Sequence, residues 1–211
     1  QFRVGRVNSG SNTVVDYLIA RQIDTNSPYN LEIDLNGNEL MVHLNGELQV
    51  FPKTFSETAH YAGFARAHNI GINEDSGYAY VVGSELASGG LWILDLSNPT
   101  VPVLAGAYNG DGYTHDIQVV NYIGPDPDYA GREIAVGSNE NTITLLDVTD
   151  KSAVSMIARK NYPNVQYVHQ GSFTEDQRFF ISNDELDERE ISGIHHTRTH
   201  FWNVMDLDNP I

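Results

Sequence analysis

The chain has 211 residues, enough for a hydrophobic core without covalent staples, and its apolar residues come in short runs bounded by Gly, Asn, Asp and Pro, the pattern of many short strands. With 28 acidic against 12 basic residues and a formal net charge of −16, its surface repels phosphate backbones, which argues against nucleic acid; the same charge suits divalent cations, cationic ligands or plain solubility. The absence of cysteine rules out disulfides, thiolate zinc sites and cysteine nucleophiles, and no apolar run approaches the ~18 residues of a helical membrane span.

Residues 1–54 read as an antiparallel β-meander, either a divergent blade or a piece of a β-sandwich. Gln1 to Arg6 carry no signal-peptide pattern, so an exported protein of this sequence has its signal and any anchor elsewhere. Period-two alternation then predicts strands over Leu31 to Leu35 and Leu40 to Leu44, with a further one over Leu48 to Phe51. Asn36-Gly37 and Asn45-Gly46 between them are hairpin signals, because Asn and Gly tolerate the positive φ that a tight hairpin turn needs.

Residues 55–211 hold an internal repeat in three copies. The first opens at Ala67-His68-Asn69-Ile70, turns at Asn73 to Gly77, runs from Tyr78 to Ser84, reaches Leu91-Trp92-Ile93-Leu94-Asp95 and closes at Pro102 to Gly106. The second opens at Thr114-His115-Asp116-Ile117 and passes through Arg132 to Ser138 and Ile143 to Asp147 before closing near Val154 to Arg159. The third opens at Val168-His169-Gln170-Gly171, passes Phe179 to Asn183 and reaches Thr199 to Asp206. Strands are predicted over Ala79 to Gly83, Leu91 to Asp95, Glu133 to Gly137, Thr142 to Asp147, Phe179 to Ser182 and His200 to Val204, with almost no helix.

A repeat of four short strands is a propeller blade, since one small sheet cannot bury both faces and must stack on neighbours. The expected fold is therefore all-β: a partial β-propeller of three blade-like repeats preceded by the meander. Three blades do not close a ring, and the third copy lacks a closing strand. The expected partners are further blades, other copies of the chain, or its own N-terminal strands.

Gly63 to Ile70, Asp111-Gly112-Tyr113-Thr114-His115-Asp116, Thr174 to Arg178, and Asp184 to Glu188 with Thr197 to Thr199 resemble the choice-of-anchor B family, bacterial surface propellers with LVIVD-like repeats. The resemblance covers about 55–211 and implies a secreted or surface-attached propeller; it implies no reaction. A cell-surface or carbohydrate ligand joins the candidate partners. Residues 29–51 are similar to the late strands of the jelly-roll alginate lyases of polysaccharide lyase family 7, but that family's Gln-x-His and its catalytic tyrosine strand are absent, and no lyase residue carries over.

Three of the eight histidines, His68, His115 and His169, head the same strand of successive repeats. In a propeller this strand is innermost, so these side chains converge, and imidazoles suit Zn, Fe, Cu or Ni. A repeated polar residue also suits channel waters or carbonyls between blades. His60 and His195 match positions of the family pattern and join the candidate metal ligands by resemblance. His43, His196 and His200 have no repeat counterpart and fit surface or hairpin roles.

The acidic run Asn183 to Glu190 reads as a solvated loop, or as oxygen ligands for calcium. Trp92, Trp202, Phe179, Phe180, Tyr78 and Tyr80 recur at blade positions and are expected to pack between sheets, with sugar stacking as the functional rival. There is no Walker loop, dinucleotide motif, HExxH or GxSxG elbow, so no nucleotide or flavin is expected and no reaction is specified. Two functions remain open: a surface binding or scaffold module with a histidine-lined metal site, and a metal-assisted hydrolase, oxidase or lyase using the same histidines.

Overall fold

The structure, a computed structural model, describes residues 59–211 and, before them, the backbone of strands at 31–36, 39–44 and 47–49. The chain divides into two compact units, Gln1–Glu57 and Thr58–Ile211.

In the first unit β1 (Leu31–Asn36), β2 (Glu39–Leu44) and β3 (Glu47–Gln49) form an antiparallel meander. Asn36 pairs with Glu39 and Leu44 with Glu47. Residues 50 and 51, expected to extend the last strand, lie outside the described residues, as does any further account of residues 1–30.

The second unit is three antiparallel sheets in which every strand lies beside its sequence neighbour. The first sheet is β4 (Asn69–Asn73), β5 (Tyr78–Val82), β6 (Leu91–Asp95) and β7 (Val103–Tyr108). The second is β8 (Asp116–Asn121), β9 (Glu133–Ser138), β10 (Ile143–Asp147) and β11 (Ser155–Lys160). The third is β12 (Val168–Phe173), β13 (Phe179–Asp184) and β14 (Thr199–Asn203). Among the described residues the single α-helix is the one-turn α1 (Asp187–Glu190).

The repeat is visible in its local devices. Each third strand ends on a side chain that accepts the backbone N–H two residues on: Asp95 from Ser97 at 2.7 Å, Asp147 from Thr149 at 3.0 Å, and Asn203 from Met205 at 3.0 Å. This Asx turn stops the strand and redirects the chain. The closing strands β7 and β11 carry a bulge at the same step, beside Ile93 and beside Leu145. Asp95 pairs with Val103 and Asp147 with Ser155; correspondingly, Asn203 and Ile211 exchange N–H···O bonds of 2.7 and 3.0 Å, the first rung of a fourth strand on β14.

The core lies between the sheets. Tyr80, Val82, Leu91 and Ile93 of the first sheet pack on Ile117, Ala135 and Leu146 of the second. The opposite face of the second sheet, Ile134, Val136, Ile143 and Leu145, packs on Phe180 and Trp202 of the third. The leading strands β4, β8 and β12 thus lie side by side.

Two expectations need correction. Phe179 does not pack between sheets: it is exposed, because it points to the face of the third sheet opposite Phe180. Nor is the acidic run uniformly solvated, because Asp184 and Asp187 are fully buried. The Asp184 carboxylate accepts from Tyr162 Oη (2.7 Å) and from the N–H groups of Gln166, Tyr167 and Leu186 at 2.7, 3.0 and 3.0 Å. Asp187 holds the Arg198 guanidinium at 2.7 Å. These are the partners that make burying a carboxylate tolerable.

Candidate functional site: a row of equivalent histidines

The site starts from strand pairing. His68 N–H donates to Val82 O at 3.0 Å and His115 N–H to Ser138 O at 2.8 Å, the same position in successive sheets. His169 occupies that position in the third sheet, at a bulge between Val168 and Gln170. Equal phase gives equal direction. The structure brings the three rings into one row: His68 to His115 is 4.0 Å between centroids, and His115 to His169 is 4.8 Å.

Two glycines make room at the head of the row. Gly83 (φ +64°) sits where a Cβ would collide with His68 Cβ, and Gly89 (φ +84°) where one would stand 2.8 Å from Tyr113 Cδ2. Both lie in the left-handed region that glycine adopts without strain. Tyr113 and Tyr167 flank the row, with the Tyr167 ring edge-on to His115 at 5.2 Å.

His115 is buried, and its Nδ1 stands 2.8 Å from His169 O. A carbonyl only accepts, so Nδ1 carries a proton, and in the neutral ring Nε2 is the nitrogen with the lone pair. Glu185 approaches from the end of β13, with Oε2 3.8 Å from His169 Nε2. Its backbone is pinned by Glu185 N–H to Tyr167 O at 2.9 Å, next to the Asp184 carboxylate that orders Tyr167 and Leu186. Burial lowers the His68 pKa first, and the neighbouring His115 lowers it further. Burial, then the nearby Glu140 carboxylate, pushes Tyr167 up to about 12, so it is a neutral hydrogen-bond donor at ordinary pH.

His115, His169 and Glu185 offer ligand atoms all within 4.8 Å of one another. His68 stacks on the row but joins no such set of three, and neither does His60 or His195, both exposed, among the described residues. A recess of ≈ 540 Å³ opens beside His68, lined also by Arg66, Ser84, Glu85, Ser88 and Tyr113. Its lining includes Ser88, a non-glycine residue at φ +56°.

Sequence reasoning placed Glu185 only in the acidic run and gave Tyr113 and Tyr167 no part in the site, although a signal existed. Tyr113-Thr114-His115 and Tyr167-Val168-His169 share a Tyr-x-His pattern, and Asn139-Glu140 and Asp184-Glu185 follow corresponding strands. Asp111 accepts from Asn139 at 2.8 Å, from Thr144, and from Arg159 at 2.6 Å, and so ties the first sheet's exit to the second.

The row and its sheets can now be set beside known families. Residues 66–110 match the LVIVD repeat. That family of repeats occurs in β-propeller-like proteins, and the match spans the first sheet, where β6 carries Leu91-Trp92-Ile93-Leu94-Asp95. No curated protein matches the chain.

Proposed function

We propose that the chain is an extracytoplasmic, surface-associated module of β-propeller type that binds a divalent transition metal between His115, His169 and Glu185. The observation that carries the reading is the single row made by equivalent histidines of three sheets, with one carboxylate beside two of them. Donors sharing one ion at about 2.0–2.2 Å stand about 3–4 Å apart, so the 3.8 Å between His169 and Glu185 fits, and small side-chain rotations close the widest pair. The His115 tautomer set by His169 O also leaves Nε2 available, the arrangement in which a second contact orients a metal-binding imidazole. Two imidazoles and a carboxylate suit Zn or Fe and leave a coordination position open. Calcium at the acidic run is the weaker alternative, since Asp184 and Asp187 already serve protein donors. The surface location, the choice-of-anchor B affiliation and a cell-surface or carbohydrate ligand rest on the resemblance of residues 55–211.

A second reading, a metal-assisted enzyme, is favoured by the recess beside His68, which gives a substrate a place next to the ion. Metal content of protein loaded with Zn(II) or Fe(II) and desalted tests the site. One equivalent is expected, falling at least tenfold in His115→Ala and Glu185→Ala with the β circular dichroism unchanged. Wild-type protein that retains no stoichiometric metal would sink the reading.

A further inference from the structure

The histidine row sits where each leading strand begins and each second strand finishes. The loops that leave the second strands there differ in length: 139–142 is a short connection, whereas 83–90 is twice as long and 185–198 longer still. In repeat folds such insertions gather on one face, often the binding face. The loop 83–90 is also strained. Ala87, Ser88 and Gly89 follow one another at φ +47°, +56° and +84°, and for the two non-glycine residues the left-handed region costs stability. Hydrogen bonds hold the loop in place. Gly83 N–H and Thr114 N–H both donate to Gly89 O, at 2.9 and 3.0 Å, and the Glu85 carboxylate accepts from the N–H groups of Ala65 and Arg66 at 2.5 and 3.2 Å. The result is the recess of ≈ 540 Å³ beside His68, walled by this loop and by the segments that enter β4 and β8.

We infer that this recess binds a neutral saccharide unit, with Arg66, His68, Glu85 and Ser88 reading its hydroxyls and the Tyr113 ring against its C–H face. This deepens the binding-module reading above and rests on it. The lining decides the class. Ala67 is its one aliphatic side chain, so an acyl chain or an apolar peptide finds little to bury against. Arg66 and Glu85 carry opposite charges in the same small space, so an ion of either sign meets a like charge. Sugar hydroxyls both donate and accept, and so they answer a guanidinium, a carboxylate, an imidazole and a serine at once. Burial, then the Glu140 carboxylate, pushes the Tyr113 pKa up, which keeps its hydroxyl a neutral donor, while its ring offers the flat apolar face that sugar C–H groups need. His68, stacked on His115 at 4.0 Å, sets the bound sugar next to the proposed ion.

NMR titration of the full chain, stripped of metal by a chelator, tests the assignment. The probes are glucose, galactose, mannose and N-acetylglucosamine, raised to about 50 mM because a sugar held by a few hydrogen bonds binds in the millimolar range, with glucuronate and galacturonate as charged counterparts. At least one neutral sugar is expected to shift the His68 and Tyr113 ring signals saturably. Arg66→Ala and Ser88→Gly are each expected to bind it about fivefold more weakly, the loss of one hydrogen bond. Glycine relieves the strain in the turn, so Ser88→Gly is expected to melt above wild type, and its weaker binding is then no loss of folding. Silence from all the neutral sugars, binding of the uronates alone, or wild-type affinity in both variants would overturn the inference. Metal content read on the same preparations after reloading separates the two readings: sugar binding without retained metal sinks the ion and leaves the recess, and retained metal without sugar binding does the reverse.

Discussion

Asp184 is a buried carboxylate with no charged group closer than the Arg198 guanidinium at 4.0 Å, and its cost of burial is met instead by four hydrogen-bond donors. Burial by itself raises its pKa, but the donors from Gln166, Tyr162, Tyr167 and Leu186 outweigh that and hold it below the usual carboxylate range. In Asp184→Asn one oxygen becomes an NH2 group, so two of the donors face another donor. A loss of about 3 kcal/mol in urea unfolding is expected, the cost of unmade hydrogen bonds to a buried acceptor. A depressed folded-state pKa means the contribution is fully present above about pH 4 and is lost as pH falls through the folded value. The gap between wild type and Asp184→Asn therefore narrows below about pH 4; a gap constant from pH 7 to pH 3 would show that the carboxylate's charge is not what the donors hold. None of this was legible in the sequence, where Asp184 is one acid in an acidic run. What singles it out is the third sheet closing over it, a long-range event that no local pattern encodes.

The strands, by contrast, were legible, because alternation and turn chemistry are local. β6, β10 and β13 fall within two residues of their expected bounds, and each of β6, β10 and β14 stops at an Asx turn. The histidine row was legible for the same reason, since equal phase in equal repeats fixes direction. The carboxylate beside it was not, because Glu185 arrives from the far end of β13, and only the pairing of β12 with β13 brings it to His169. How closely neighbouring sheets approach was equally hidden. Gly106 in β7 lies against the Lys151 carbonyl in the turn before β11, where a Cβ would collide. Lys151 is itself held by Glu133 at 2.6 Å and lies 4.3 Å from the centre of the Tyr78 ring. Gly106→Ala must displace that turn and loosen both contacts, at a cost of about 1–3 kcal/mol. Thermal unfolding of the variant checks this, and an unchanged midpoint would mean that the two sheets have slack at this point.

The second sheet lies between two others: every residue of β9 and of β10 is buried, whereas β4 alternates toward solvent and β14 exposes Phe201. In a stack where each sheet touches only its neighbours, stability is a sum of nearest-neighbour terms, so the sheet with two neighbours opens last. Amide exchange is accordingly expected to be slowest at Glu133–Ser138 and Ile143–Asp147 and faster by at least tenfold in β4 and β14, a difference of about 1.4 kcal/mol in opening free energy. The buried polar contacts reinforce the order. Glu133 accepts from Asn73 at 2.7 Å, Ser76 at 2.6 Å, Tyr80 at 2.7 Å and Lys151 at 2.6 Å, so the first sheet cannot leave without stranding a carboxylate of the second. Uniform protection across the three sheets would show that they unfold as one unit and that the nearest-neighbour description fails.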